Sequence, residues 1–330
     1  MTAPVIVPAI EELPAGTLRA QLPTPFPVGT VNCYLLLGST TTVVDPGMMW
    51  SDSTSQLQAF LTVAGIGTAD VDAVVVTHGH PDHFGAAGWL AELADAPVVC
   101  GRAELTKLRG EFGRTQRSEL SERVGIPGSL RADLATFYDG VRSLTTPIAD
   151  HRLLPVDDLD PIELGGRTWT AHVTPGHATG HLSLHDPAGD MLLSGDHLLG
   201  HITPNPVLEP DDDVPDGRRR SLSEYLGSLD RFTAMDPGLV LPGHGSAFTD
   251  VPALVAHTRD HHAARALDVL DIVRSCGQPT AFEVAIVMFP ELEGFSRMLG
   301  VSEALGHLDL LEDDGMIMRV EGSPIRFRPT

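Results

Sequence analysis

At 330 residues the chain is long enough for one large domain plus a small one, and its 5% aromatic content points to an aliphatic core. A formal charge of −22 opposes general binding to nucleic acid or to an anionic membrane, because both present phosphates that this surface would repel. Cys33, Cys100 and Cys276 form no CxxC pair and read as small buried residues in a reducing compartment, residues 1–27 lack the basic start and apolar centre of a signal peptide, and no stretch is long enough to span a bilayer, so the expected location is cytoplasmic.

Residues 28–100 alternate apolar strand-like runs with loops, with one helix expected near 55–64 and a further strand at 97–100. A second helix is expected to begin at 82–84 and to carry Trp89, Leu90 and Leu93 toward the core. Residues 102–150 change character: Arg102, Arg109, Arg114, Arg117, Arg123 and Arg131 mix with Glu and with the apolar positions Phe137, Val141 and Leu144. This pattern reads as a helical insertion whose arginines form a solvated face, with some of them at a substrate mouth as the alternative. Strands resume at 169–174, 182–185 and 191–193, followed by a Pro-rich loop over 201–220 with opposed runs, Asp211-Asp212-Asp213 and Arg218-Arg219-Arg220, expected to be solvated. Leu222, Tyr225, Leu226 and Leu229 have helical spacing and should pack on a sheet, and beyond Asp250 the chain turns helical and charged. There, His257, His261 and His262 read as a polar helix face, since no other ligand type has suitable spacing.

The chemistry concentrates in His78-Gly79-His80-Pro81-Asp82-His83, directly after the apolar run 71–76. Two histidines alternating off a strand end share one side, while Asp82 and His83 turn into the next segment of chain and can face a second point. That arrangement suits two neighbouring metal ions better than one. His177, Asp196 and His244 each follow an apolar stretch and sit beside glycine, as ligands on loops after strands do.

In this order the residues match the signature His-x-His-x-Asp-His, then His, Asp and His, and the chain resembles the metallo-β-lactamase-fold hydrolase superfamily over roughly residues 18–250. Residues 31–37 and the Thr42-Val43-Val44-Asp45-Pro46-Gly47 segment look like the family's opening hairpin and first motif. The resemblance implies an α/β fold, a four-layer αββα sandwich over residues 1–252 with the insertion at about 102–150. Residues 253–330 resemble the small, mainly helical, winged-helix-like C-terminal domain of one branch, on Ala281-Phe282-Glu283-Val284, 303–308 and 311–315.

The same resemblance implies one metal at His78, His80 and His177, another at Asp82, His83 and His244, and Asp196 between them. Two divalent ions, Zn²⁺ with Fe or Mn as alternatives, would share a bridging water and lower its pKa toward about 7, giving hydroxide to attack a carbonyl or phosphorus. Asp82 would double as the catalytic proton acceptor. Asp45 is expected to orient the ligand loop, His181 to hydrogen-bond behind the ligands, and His197 to touch substrate or cap a core turn. His201 stands where many relatives carry Arg. The expected activity is hydrolysis of a small thioester or ester, as in glyoxalase II and related thioesterases, although basic C-terminal residues that would hold glutathione are absent. The alternatives are an endoribonuclease or other phosphodiesterase, which the acidic charge disfavours, and a non-catalytic metal-binding interaction protein. The expected partner is a small molecule, with no membrane, and self-association into a homodimer is left open.

Overall fold

In a computed structural model, which describes residues 6–26, 28–111, 113–211, 214 and 217–330, two β-sheets lie face to face with helices on both outer sides. The first sheet runs in chain order: β1 (Ile10–Leu13), β2 (Thr17–Leu22), β3 (Val31–Leu37), β4 (Thr41–Val44), β5 (Ala73–Val76), β6 (Val98–Gly101) and β7 (Leu153–Val156). Its pairings are antiparallel up to β4 and parallel from β4 to β7. The second sheet contains β8 (Pro161–Leu164), β9 (Arg167–Val173), β10 (Leu182–Asp186), β11 (Met191–Gly195) and β12 (Leu239–Pro242), in the order β12-β11-β10-β9-β8.

The period-2 geometry of strands explains why these apolar runs are continuous. Leu36, Val44, Val75 and Val99 point into the inter-sheet core, where they meet Trp169, Leu184, Leu193 and Leu241. Their neighbours Leu35, Val43, Val74 and Val76 face the opposite side and pack on Leu57, Phe60 and Leu90. Those residues come from α1 (Ser51–Val63) and from α3 (Ala87–Ala94), which follows the single-turn α2 (Pro81–Phe84). On the far side Leu192 and Val240 pack against Tyr225, Leu229, Phe232, Val251 and Val255. These belong to α7 (Ser221–Met235) and α8 (Val251–Cys276), whose positions in the chain are preceded by the short α4 (Leu105–Leu108), then α5 (Arg114–Arg123) and α6 (Gly128–Arg142). The four-layer αββα order expected from the sequence is therefore the observed one.

A fourth core lies beside the sandwich. Val269, Leu270 and Val273 of α8 join α9 (Ala281–Met288), α10 (Gly294–Asp313) and the hairpin of β13 (Ile317–Val320) and β14 (Arg326–Pro329). Leu120 of α5 and Leu134 of α6 enter the same cluster. The insertion thus packs on the C-terminal helices. A boundary at residue 252 passes through the first turn of α8, which contributes its start to the sandwich and its end to the helical core.

Several local expectations change. Helix α1 starts earlier than residue 55, and the expected helix from residue 82 is two pieces, with Leu93 48% exposed while Leu90 is fully buried. Cys276 is exposed, unlike Cys33 and Cys100. The Arg218–Arg220 run is not solvated: Arg218 is buried and donates to both Asp309 carboxylate oxygens at 2.6 Å, while Arg220 pairs with Glu312 and Asp313 at 2.6 Å. The cause is tertiary, since α10 presents a line of carboxylates that the sequence places some 90 residues away. Asp212 and Asp213 of the acidic run lie outside the described residues, while Asp211 pairs with Arg219 at 3.2 Å.

Candidate metal centre

Every site residue read from the sequence sits at one end of the sandwich, on loops leaving β4, β5, β9, β11 and β12 at their carboxyl ends. Pro81 explains how six residues serve two points. A proline forces the residue before it into extended backbone and is well suited to the first turn of a helix. His80 is accordingly extended (φ −81°, ψ 142°) and stays beside His78, whereas Asp82 and His83 already lie in α2 and turn away.

The result is two touching clusters. In the first, His80 Nδ1 is 2.8 Å from His78 Nε2 and 3.0 Å from His177 Nε2. In the second, His83 Nε2 is 3.3 Å from His244 Nε2, which is 3.5 Å from Asp82 Oδ2. Asp196 Oδ2 lies between, 3.5 Å from His177 Nε2 and 3.5 and 3.4 Å from the Nε2 atoms of His83 and His244. The first three histidines, and Asp82 with His83 and His244, each form a set of ligand atoms within 4.8 Å of one another, as does Asp196 with His78 and His83.

The far side of each ring decides which nitrogen keeps its lone pair. Asp45 Oδ2 accepts from His83 Nδ1 at 2.7 Å, the Asn205 carbonyl from His177 Nδ1 at 2.9 Å, and the Thr30 carbonyl from His244 Nδ1 at 2.8 Å. The Thr77 hydroxyl donates to Asp45 Oδ2 at 2.7 Å, so it accepts from His78 Nδ1 at 3.0 Å. All four Nε2 atoms are turned inward, where each can serve as a ligand once its ring is neutral. Asp45 also accepts from the Thr77 backbone N–H at 2.8 Å, which ties β4 to the ligand loop.

Electrostatics agree with a cation site. Burial and neighbouring imidazoles hold His78 and His80 well below the ordinary histidine value, so both rings are neutral, as metal ligation requires. Burial opposes charge on Asp196 and Asp82, yet His83 and His244 keep both carboxyls below the usual carboxylate range. Burial likewise opposes charge on His244, but Asp196 outweighs it and pushes the imidazole up to about 10. Two buried carboxylates therefore rely on whatever positive charge sits between the rings, and Asp196 Oδ1 has no hydrogen-bond partner at all. Imidazole and carboxylate donors around an orphaned, buried oxygen fit divalent metal ions.

Glycine makes room for this packing. Gly195 has φ +49°, and a Cβ there would come within 2.6 Å of His181 Nε2 and 2.9 Å of Thr77 Cβ. His181 receives the Asp196 backbone N–H on Nε2 at 3.0 Å and its Nδ1 lies 2.8 Å from the Thr174 hydroxyl, so it sets the backbone that carries Asp196. His197 turns the other way, into the core between Tyr225 and Phe232 at ring distances of 4.8 and 5.2 Å. Of the two roles weighed for it, substrate contact is set aside, because the turn that aims Asp196 inward aims its neighbour outward. His201 is exposed, with its ring over Gly245.

One important residue escapes sequence reading. Glu104, fully buried after β6, accepts from the Gly79 N–H at 2.9 Å and the Gly180 N–H at 2.6 Å, and so clamps two ligand loops together. Lys107 bridges it to Glu209 at 3.0 and 2.6 Å. The only signal was position, a carboxylate just beyond an apolar strand end like the ligands themselves.

Above the clusters opens a cavity of about 600 Å³ bordered by His80, Asp82, His177, Asp196 and His244. Its upper wall is largely apolar: Phe26 from the loop after β2, Leu134, Phe137, Tyr138 and Val141 of α6, and Phe295 and Leu299 of α10. Phe137 and Phe295 stack at 4.3 Å, and Arg117 lies over Tyr138 at 4.9 Å. Arg117, Arg131 and Arg142 also border the cavity, so part of the insertion's basic set faces the mouth; Arg131 is engaged by Glu122 at 2.8 Å.

Comparison with known proteins agrees with this geometry. Residues 26–244 match the model of the metallo-beta-lactamase superfamily. The chain is 31% identical over 323 residues to the probable metallo-hydrolase YqjP of Bacillus subtilis (strain 168), covering 94% of this chain and 97% of that one. Among solved structures it is similar to the metallo-beta-lactamase family protein TTHA1429 of Thermus thermophilus, at 28% identity and TM-score 0.83 over 96% of this chain and 99% of that one. A beta-lactamase domain protein from Burkholderia ambifaria superposes with TM-score 0.84 at 28% identity, over 98% of this chain and 96% of that one. On its fold, its clustered histidines and aspartates and these likenesses, the chain belongs to the metallo-beta-lactamase superfamily and stands among metallo-hydrolase homologues.

Proposed function

We propose that the protein is a hydrolase that uses two divalent metal ions, zinc in our reading, to cleave a small thioester or ester with an apolar acyl part. The observation that carries this reading is the apolar cavity above the clusters, whose walls match a hydrocarbon chain and whose floor is polar and acidic. His78, His80 and His177 would hold one ion and Asp82, His83 and His244 the other, with Asp196 reaching both. Bound there, such ions lower the pKa of water and polarise a carbonyl.

The rest is the work of the chain. Phe137, Phe295 and Leu299 exclude water and align the acyl group along the cavity. Asp82, ionised and bordering the cavity, takes up the proton released as water is consumed. Asp45 and Thr77 hold the rings of His83 and His78 at fixed tautomers through the reaction. A phosphodiester is the second reading, favoured by Arg117, Arg131 and Arg142 at the mouth; the largely apolar wall and the overall charge of −22 weigh against it.

The test is thiol release from acyl-thioesters of increasing chain length by metal-loaded protein, with His80→Ala as control. Release that depends on His80 and improves with chain length is expected. Metal-loaded protein that releases no thiol from any acyl chain overturns the substrate class and points to a phosphodiester.

A further inference from the structure

The helical core holds another group of ligand-type residues, separate from the centre described above. His261 and His262 of α8 and Glu303 of α10 each offer an atom within 4.8 Å of the others. From sequence, the two histidines lacked a third ligand at suitable spacing; the crossing of α8 and α10 supplies it from about 40 residues further on.

Hydrogen bonding defines the state of the buried ring. His307 donates Nδ1–H to the Glu303 carbonyl at 2.8 Å, one turn back on α10, which leaves its Nε2 as an acceptor. His262 Nδ1 stands 3.2 Å from that Nε2 and must carry the proton they share. His262 Nε2 is then an unprotonated lone pair in a residue only 1% exposed, and it has no hydrogen-bond partner. A buried acceptor with nothing to accept costs free energy that a cation would return. Glu303 is burdened in the same direction: burial pushes its carboxyl up to about 7 despite the nearby Arg265 guanidinium. Its side chain is 12% exposed and His261 is half-buried, so the group opens to solvent on one side and an ion has a way in.

We infer that His261, His262 and Glu303 form a further metal site joining α8 to α10, suited to a borderline divalent ion such as Zn²⁺, with His307 fixing the His262 ring from behind. Two imidazoles and a carboxylate leave the remaining coordination to water, and the site cross-links α8 to α10, the helix that borders the cavity.

Zinc is added to the full chain, excess is removed by gel filtration, and metal per chain is counted. Wild type should retain one equivalent more than Glu303→Gln and His261→Ala, both at partly exposed positions that leave the fold intact by circular dichroism. Zinc should also raise the melting temperature of wild type by more than that of either variant. In a His80→Ala background the same equivalent should persist and vanish on adding Glu303→Gln, which separates this site from the proposed hydrolytic centre. Equal metal content in wild type and both variants overturns the inference, whatever the outcome of the thioester assay.

Discussion

The floor and the roof of the cavity are built by opposite means. On the floor, each inward-facing imidazole of His78, His83, His177 and His244 is held from behind by a hydrogen bond to Thr77, Asp45 or a backbone carbonyl, and Glu104 pins two loops through their glycines. The roof is side chains of α6 and α10 meeting by stacking and apolar contact, drawn from parts of the chain more than 150 residues apart. Hydrogen bonds are directional and fix atoms to tenths of an ångström, whereas apolar contact fixes little beyond volume. In the proposed hydrolase, chemistry would rest on the rigid floor and choice of substrate on a roof that can vary.

The contrast fails most visibly if the floor tolerates loss. His80→Ala or Asp196→Asn should lower hydrolysis by about three orders of magnitude and strip metal, with the fold intact. Activity assays, metal analysis and circular dichroism on the same samples check this, and full activity in either variant would sink the assignment. One layer back, Thr77→Val removes the acceptor of His78 Nδ1 and should weaken metal affinity by about 10–100-fold without emptying the cavity of any ligand. Competition with a chelator measures it.

A roof substitution should behave differently. Phe295→Ala or Phe137→Ala is expected to raise KM for long acyl chains by about tenfold, corresponding to about 1.4 kcal/mol of lost apolar contact, while kcat on the shortest acyl group changes little. A fall in kcat for every chain length would mean the roof positions the floor after all. The smallest effect lies away from both. His172, on the outer face of β9, is held down to about 4 by burial and by Arg231. Its neutral form is the folded one, so its contribution to stability is complete above pH 6.5 and is lost as pH falls toward 4. His172→Gln should flatten that acid limb in melting temperatures recorded between about pH 4 and 7.

Legibility followed the same division. The seven ligand-type residues, Asp45 and the strand-loop alternation were readable because each is carried by a local pattern: a strand end, a proline that redirects the chain, a glycine at a tight turn. Glu104 was not, since a single glutamate after an apolar run has no periodicity to betray it. Arg218 reads as solvated in sequence because its partner Asp309 is remote along the chain. His262 reads as surface for the same reason, its neighbours Glu303 and His307 lying one helix crossing away.

By itself the sequence determined the layers and the candidate ligand set, because strand alternation and the His80-Pro81 step act within a few residues. Only the tertiary structure decided that the insertion and α10 together close the cavity, that His197 faces the core, and that Arg218 and Arg220 are spent on the carboxylates of α10. Those outcomes depend on which helices meet, and helix contacts are set by burial of whole faces rather than by any local spacing.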